Sequence, residues 1–178
     1  RNGYKLKIIL VEPQGPINVG SVARLCANFN IDELRIVSPN CDIFSADSRK
    51  MALRGSIYLD KHNIYKNLPD AIFDCDLVLA SSGKIDFAVD SQICSLETAS
   101  KWVSNYKNIK NLAIVFGRED RGLDNNELLM AHKIFSINTP GNYPSLNLSH
   151  AVSIVLHELN KFPNIDNSNR GKRINLAK

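Results

Sequence analysis

No apolar run in this sequence approaches the roughly 20 consecutive residues that a bilayer demands, so a membrane-spanning helix is excluded and no membrane association is expected. Nor does any basic segment followed by an apolar stretch resemble a secretory signal. Cysteine is sparse. Cys26, Cys41, Cys75 and Cys94 are scattered, with no CxxC pair and no histidine at zinc-ligand spacing. That argues against a metal cluster and a disulfide framework, and leads us to expect reduced thiols in a cytoplasmic protein. No GxGxxG follows the first apolar run and no GxxxxGK[ST] occurs, which disfavours a dinucleotide fold and a nucleotide hydrolase. His132, His150 and His157 have no serine or cysteine in a triad-like context and read as surface or edge histidines. Charge of one sign is only slightly in excess, at +4 with a pI near 8.9; this fits a polyanionic partner and simple solubility equally well.

What is present suffices for a globular domain. The 178 residues, 44% hydrophobic and 22% charged, can bury a core without metals or cross-links. Residues 7–11 (KIILV), 34–37, 77–80, 112–116 and 134–137 are short, nearly continuous apolar runs, as expected of strands buried on both faces. Helical spacing lies between them. Val19, Val22, Cys26 and Phe29 form one stripe, and 96–106 and 125–131 give weaker patterns. Leu148, Ala151, Val152, Val155, Leu156 and Leu159 mark the clearest helix. Alternation of this kind predicts an α/β fold, a mostly parallel sheet with helices on both faces. We expect one domain over 1–161 and a short basic tail over 162–178, where the composition turns polar and Asn-rich with "RGKR". The path of residues 40–70 stays open.

Ligands of parallel sheets gather at the carboxyl ends of the strands, and three strand exits carry suitable residues. The first, "EPQGPINVGSVAR", has a Gly-Pro turn at 15–16 and offers Asn18 as a helix cap. Gly20, one turn before Arg24, would make room beside it. Arg24 itself can grip a phosphate with its planar fork or simply point into water. The second, "VFGREDRGL", packs four charges between Gly117 and Gly122. Two glycines permit close backbone approach, and Glu119 between them can accept from loop amides or pair with Arg118, Arg121 or Arg24. The third, "INTPGNYPSLNLSHA", bends at Pro140, Gly141 and Pro144, and either Ser145 or Asn147 can cap the last helix.

Taken together and in this order, "NVGSVAR", "FGREDRGL" and "PSLNLSHAV" resemble the signature motifs of the SPOUT-class RNA 2′-O-methyltransferases of the TrmH group, and among them the TrmJ-like tRNA methyltransferases. The resemblance runs from about residue 7 to residue 161. It implies a C-terminal trefoil knot, a homodimer, and S-adenosylmethionine as methyl donor, leaving S-adenosylhomocysteine. It also implies a ribose acceptor at nucleotide 32 of the tRNA anticodon loop, cytidine or uridine. Alternatives within the class are ribosomal RNA as substrate, or an RNA-binding relative that has lost turnover. By motif, the cofactor would meet Ser81, Ser82, Gly117, Glu119, Gly122, Ile137, Pro140, Ser145, Leu146, Asn147 and Leu148. Arg24 would be the catalytic arginine, with Asn18 beside it in the first motif and Ser145 helping to carry the proton away. No metal is implied. Arg49, Lys50, Arg54, Lys172 and Arg173 are candidates for phosphate contacts.

Overall fold

A computed structural model of the chain describes residues 3–83 and 93–163. Phe162 and Pro163 are thus the only described residues of the expected tail, and Lys172 and Arg173 lie outside the described residues. The predicted sheet is there. β1 (Lys5–Val11), β2 (Glu33–Val37), β4 (Leu77–Ser81), β6 (Asn111–Phe116) and β7 (Lys133–Ser136) each fall on a predicted apolar run, within a residue or two of its ends. Two short edge strands, β3 (Ile64–Tyr65) and β5 (Ile93–Ser95), were not foreseen. All pairings are parallel, in the order β3-β2-β1-β6-β4-β7-β5.

Because side chains alternate across a strand, each central strand feeds two cores. Leu6, Ile8 and Leu10, with Leu34, Ile36, Leu77, Leu79, Leu112, Ile114 and Phe116, face one layer of helices. That layer consists of α1 (Pro16–Asn28), α2 (Ala46–Ala52), α4 (Leu96–Asn105) and α6 (Leu148–Lys161). The expected stripe of α6 is the buried one: Leu148, Val152, Val155, Leu156 and Leu159 are all in the core. Each such side chain contributes on the order of 2 kcal/mol by leaving water. The opposite face is covered more thinly, by α3 (Leu68–Ile72) and α5 (Asn125–Leu129), whose Leu68, Ala71 and Leu128 pack on Ile9, Val11, Val78, Ala80, Ala113 and Val115. Among the described residues no helix is long and apolar enough to cross a membrane.

The thin face also buries charge. Lys7 and Arg35, 2% and 4% exposed, stand on neighbouring strands where the alternation calls for apolar residues. Arg35 makes a forked contact to Asp74, at 2.6 and 2.9 Å, and donates through Nε to Glu33 at 2.9 Å. Lys7 Nζ lies 2.6 Å from the same Asp74. Two cations thus meet two carboxylates. The Arg35 guanidinium, with help from Lys7, holds the Asp74 carboxyl well below the usual carboxylate range. A depressed folded value means the stabilisation is present above the unfolded carboxylate value of about 4 and is lost as pH falls toward the folded one.

Residues 45–58 are α2 followed by a 3-10 turn over Leu53–Tyr58, both lying against α1. This corrects the expected role of Gly20. Rather than making room for Arg24, Gly20 is buried beneath α2, where a Cβ would come within 2.2 Å of the Ser48 carbonyl oxygen. His132 is exposed, as expected of a surface or edge histidine; its Nδ1 accepts from the Val78 amide at 3.0 Å while its own amide donates to the Val78 carbonyl, so it extends the β4 ladder.

Asp74→Asn leaves Lys7 and Arg35 with Glu33 alone, and it should cost about 2 kcal/mol at neutral pH, reduced from the full buried-pair penalty because Asp74 is half exposed. Urea denaturation from pH 7 down to pH 3 checks this: the gap between parent and variant should begin to narrow below about pH 4, where the carboxyl of the unfolded chain takes up its proton while the folded one keeps its charge.

Candidate functional site

The three strand exits converge on one carboxylate. α1 begins at Gly15 and Pro16, and no side chain of its own segment caps it; Asn18, expected as the cap, sits inside the first turn instead. The capping acceptor comes from the second exit. Glu119 accepts from the Gln14 amide at 2.9 Å, from the Gly15 amide at 3.0 Å, and from Asn18 Nδ2 at 3.2 Å. A carboxylate there meets both the free amides and the positive end of the helix dipole. Asn18 then passes the connection on: its Oδ1 accepts from Asn147 Nδ2 at 3.0 Å. Asn147 is the cap of α6, its Oδ1 accepting from the Ser149 amide at 3.0 Å. The sequence left both Ser145 and Asn147 open for that role, and Asn147 takes it.

The bracket around Glu119 depends on glycine. A Cβ on Gly117 would come within 2.2 Å of the Gly122 carbonyl carbon and the Leu123 amide nitrogen, so the two arms of the loop touch backbone to backbone. Gly122 has φ +72, the left-handed region, and its amide closes the loop on the Arg118 carbonyl at 2.8 Å. The charges inside the bracket sort themselves locally. Arg118 forks onto Asp120, and Arg121 reaches Glu12 at the end of β1 at 2.9 Å. Among the described residues Glu119 pairs with no arginine; its oxygens are occupied by the first loop.

Around this frame the other expected residues fall into groups. Ser81 closes β4, and Ser82, buried, donates its amide to the Phe135 carbonyl at 2.9 Å. Ser82 and Gly83 share a cavity of about 250 Å³ with Arg121, Leu123, Asp124 and Asn125. Ile137, Pro140, Ser145 and Leu146 belong to the irregular stretch between β7 and α6, which, besides the bonds of its last residue Asn147, is tied by Thr139 Oγ1 donating to the Pro144 carbonyl at 3.0 Å. Leu148 is largely core, at 7% exposed. Arg24 stands apart: it is exposed, on α1 about 9 Å along the axis from Asn18, and joined to none of these groups. A larger cavity, about 540 Å³, lies at the amino end of β1 near Tyr4, Leu6 and Asp32 and includes none of the motif residues, so the motifs and not cavity size locate the site.

Sequence reasoning offered Arg121 to Glu119 and missed Glu12 as its partner. Their pairing spans 109 positions, and no local pattern could have signalled it. Among the described residues no group of three or more histidine, cysteine or acidic side chains could hold a metal ion.

Comparison with known proteins spans the part of the chain that holds all three segments. The SpoU rRNA methylase family matches residues 5–157. A tRNA (cytidine-2′-O-)-methyltransferase TrmJ of Sulfolobus acidocaldarius is 39% identical over 166 residues, covering 90% of this chain and 69% of that protein. Its Methanocaldococcus jannaschii namesake is 37% identical over 168 residues, covering 90% and 72%. The structure of a probable methylase family protein from Haemophilus influenzae superposes with a TM-score of 0.82 at 28% identity, covering 96% of this chain and 71% of that one.

Two substitutions probe the frame. Glu119→Gln turns an amide NH2 toward donors and should cost about 1–3 kcal/mol in chemical denaturation. Gly117→Ala should leave the sheet folded by circular dichroism while forcing the bracket open; unaltered protease resistance of the 117–123 loop would contradict the contact.

Proposed function

The chain belongs to the SpoU rRNA methylase family, and from that premise we propose that it is an S-adenosylmethionine-dependent RNA 2′-O-ribose methyltransferase whose substrate is tRNA, with cytidine or uridine at anticodon-loop nucleotide 32 as acceptor. One observation carries the reading: the Glu119–Asn18–Asn147 chain binds the three motif loops into a single frame. The names of the two archaeal relatives support tRNA and the ribose hydroxyl. The family's own description supports ribosomal RNA as the second reading.

The residues fit the donor. Among the described residues, backbone groups between Ile137 and Leu146 make no hydrogen bond to other backbone, which leaves amides and carbonyls for the edge of a purine, and the Gly117–Gly122 contact gives a flat wall free of side chains. Ser81, Ser82, Gly117, Gly122, Ile137, Pro140, Ser145 and Leu146 would hold the group, while Glu119, Asn147 and Leu148 fix the loops that carry them. When bound, S-adenosylmethionine supplies an electrophilic methyl and leaves as S-adenosylhomocysteine.

Within this reading the chain orients and stabilises. Arg24, a planar fork of donors, holds the phosphate next to the acceptor ribose and stabilises charge growing on the 2′-oxygen. Ser145, an exposed hydroxyl at the mouth of the third loop, passes the proton to water. Asn18 is a positioning residue, since both ends of its amide are taken. Arg24 lies off the frame of its own chain, so the proposal includes a homodimer in which it serves the crevice of the other copy. It also includes the trefoil knot, which the insertion of β7 between β4 and β5 supports.

Incubation with labelled donor and either bulk tRNA or ribosomal RNA, followed by digestion and mass spectrometry, should place the methyl on the ribose of tRNA nucleotide 32; label confined to ribosomal RNA would replace this substrate with the second one. Arg24→Lys should lower turnover roughly 100-fold without changing donor affinity, because the ammonium lacks the fork. Mixing Arg24→Ala with Gly117→Ala protein should recover activity if the arginine works across the dimer, and should recover none if it works within one chain.

A further inference from the structure

The arginines among the described residues fall into two sets. Arg35, Arg118 and Arg121 each pair with carboxylates. Arg24, Arg49 and Arg54 form no ion pair among the described residues, and all three stand on one surface, made by α1 and the 45–58 segment lying across it. Lys50 adds another exposed cation there, and Asp47 is the only carboxylate between 45 and 58. Arg49 uses Nε on the Phe44 carbonyl at 3.0 Å, an anchor that leaves the rest of its fork available.

A second observation lies in the backbone. Leu53 ends α2 at φ 50, ψ −121, a conformation suited to glycine and strained for a leucine. The side chain so placed is 57% exposed, and Ile57 beside it is 80% exposed. Their support is rigid. A Cβ on Gly55 would come within 2.3 Å of the Ala23 carbonyl oxygen and 2.6 Å of the Arg24 amide nitrogen, so the turn rests directly on the peptide that carries Arg24. Tyr58 Oη locks its far end by donating to the Ile31 carbonyl at 2.7 Å. Strain without a packing reward, at an exposed apolar residue in a segment whose cations form no ion pair among the described residues, points to a ligand with phosphates and flat apolar faces. Single-stranded RNA has both.

We propose that this surface seats the single strand of the substrate: Arg49 and Arg54 hold phosphates flanking the nucleotide presented at Arg24, and Leu53 packs against the face of a splayed base. The inference rests on the RNA methyltransferase reading and adds to it where the strand lies and what its bases touch. An acidic protein would satisfy the cations but leave Leu53 and Ile57 without a purpose.

Leu53→Gly tests it without endangering the fold, since glycine relieves the strain. The variant should melt at or above the parental temperature, bind S-adenosylmethionine unchanged, and bind fluorescently labelled tRNA about 10-fold more weakly with an unaltered salt dependence. Arg54→Gln should instead lower the slope of log affinity against log salt by about one. Parental tRNA affinity and slope in both variants would overturn the inference, as would competition by polyglutamate as effective as that by unlabelled single-stranded RNA. If the parent transfers methyl groups to tRNA and both variants match it in KM, the inference fails and the function stands. Weakened tRNA binding in the variants of a parent that transfers no methyl sinks the function and keeps the surface.

Discussion

The frame of this molecule's site depends on one carboxylate accepting three hydrogen bonds across a gap of about a hundred residues in the chain. Glu119 gives α1 the cap that its own sequence omits, and in doing so fixes the end of β6 against the end of β1. A charged acceptor contributes more per hydrogen bond than a neutral one, of the order of 1.5–3 kcal/mol, and here two of the three donors are backbone amides at the start of a helix that would otherwise have no acceptor in their own segment. Asn18 extends the constraint to α6 through Asn147. The consequence is preorganisation: loops whose backbone has little internal hydrogen bonding are held at their roots by side chains that have no freedom left to react.

That arrangement separates two tasks that the motifs alone run together. Asn18, Glu119 and Asn147 are the polar residues that a search for chemistry singles out first, yet their polar atoms are largely spent on each other and on helix ends. Groups still able to meet a ligand are humbler: free backbone between β7 and α6, the glycine wall at 117–122, an exposed serine and an exposed arginine. Polarity in the sequence marks where the site is held together as much as where it acts.

The sheet could be read from the sequence because parallel strands buried on both faces leave runs such as KIILV and LAIVF with hardly a polar interruption. α6 could be read because its stripe keeps helical spacing over three turns. β3 and β5 could not, being edge strands of two and three residues whose existence is decided by the neighbour they pair with. The same holds for Gly20, which looks like a concession to Arg24 and is in fact the crossing point of α1 and α2. His132, Arg121 and the buried pair Lys7 and Arg35 take their meaning from partners tens of residues away, so no local pattern carried them. Within the site, the bracket glycines were legible from spacing, while the choice of Gln14, Gly15 and Asn18 over three arginines as partners of Glu119 was settled by where β1 and β6 end in the sheet.

The two faces of the sheet are built differently, and the difference bears on where a large ligand can dock. The thin face closes its edge with compensated charge, Lys7 and Arg35 against Glu33 and Asp74, so little net field leaves it. The thick face carries α1 and α2, where the arginines remain uncompensated. A polyanion approaching the molecule is therefore drawn to the helical side, along α1, whose amino end is the very end that Glu119 clamps. On the proposed reading, what binds beside Arg24 is held by the helix at a fixed distance from the Asn18 frame of its own chain, while the contact between the two copies sets its place at the other crevice.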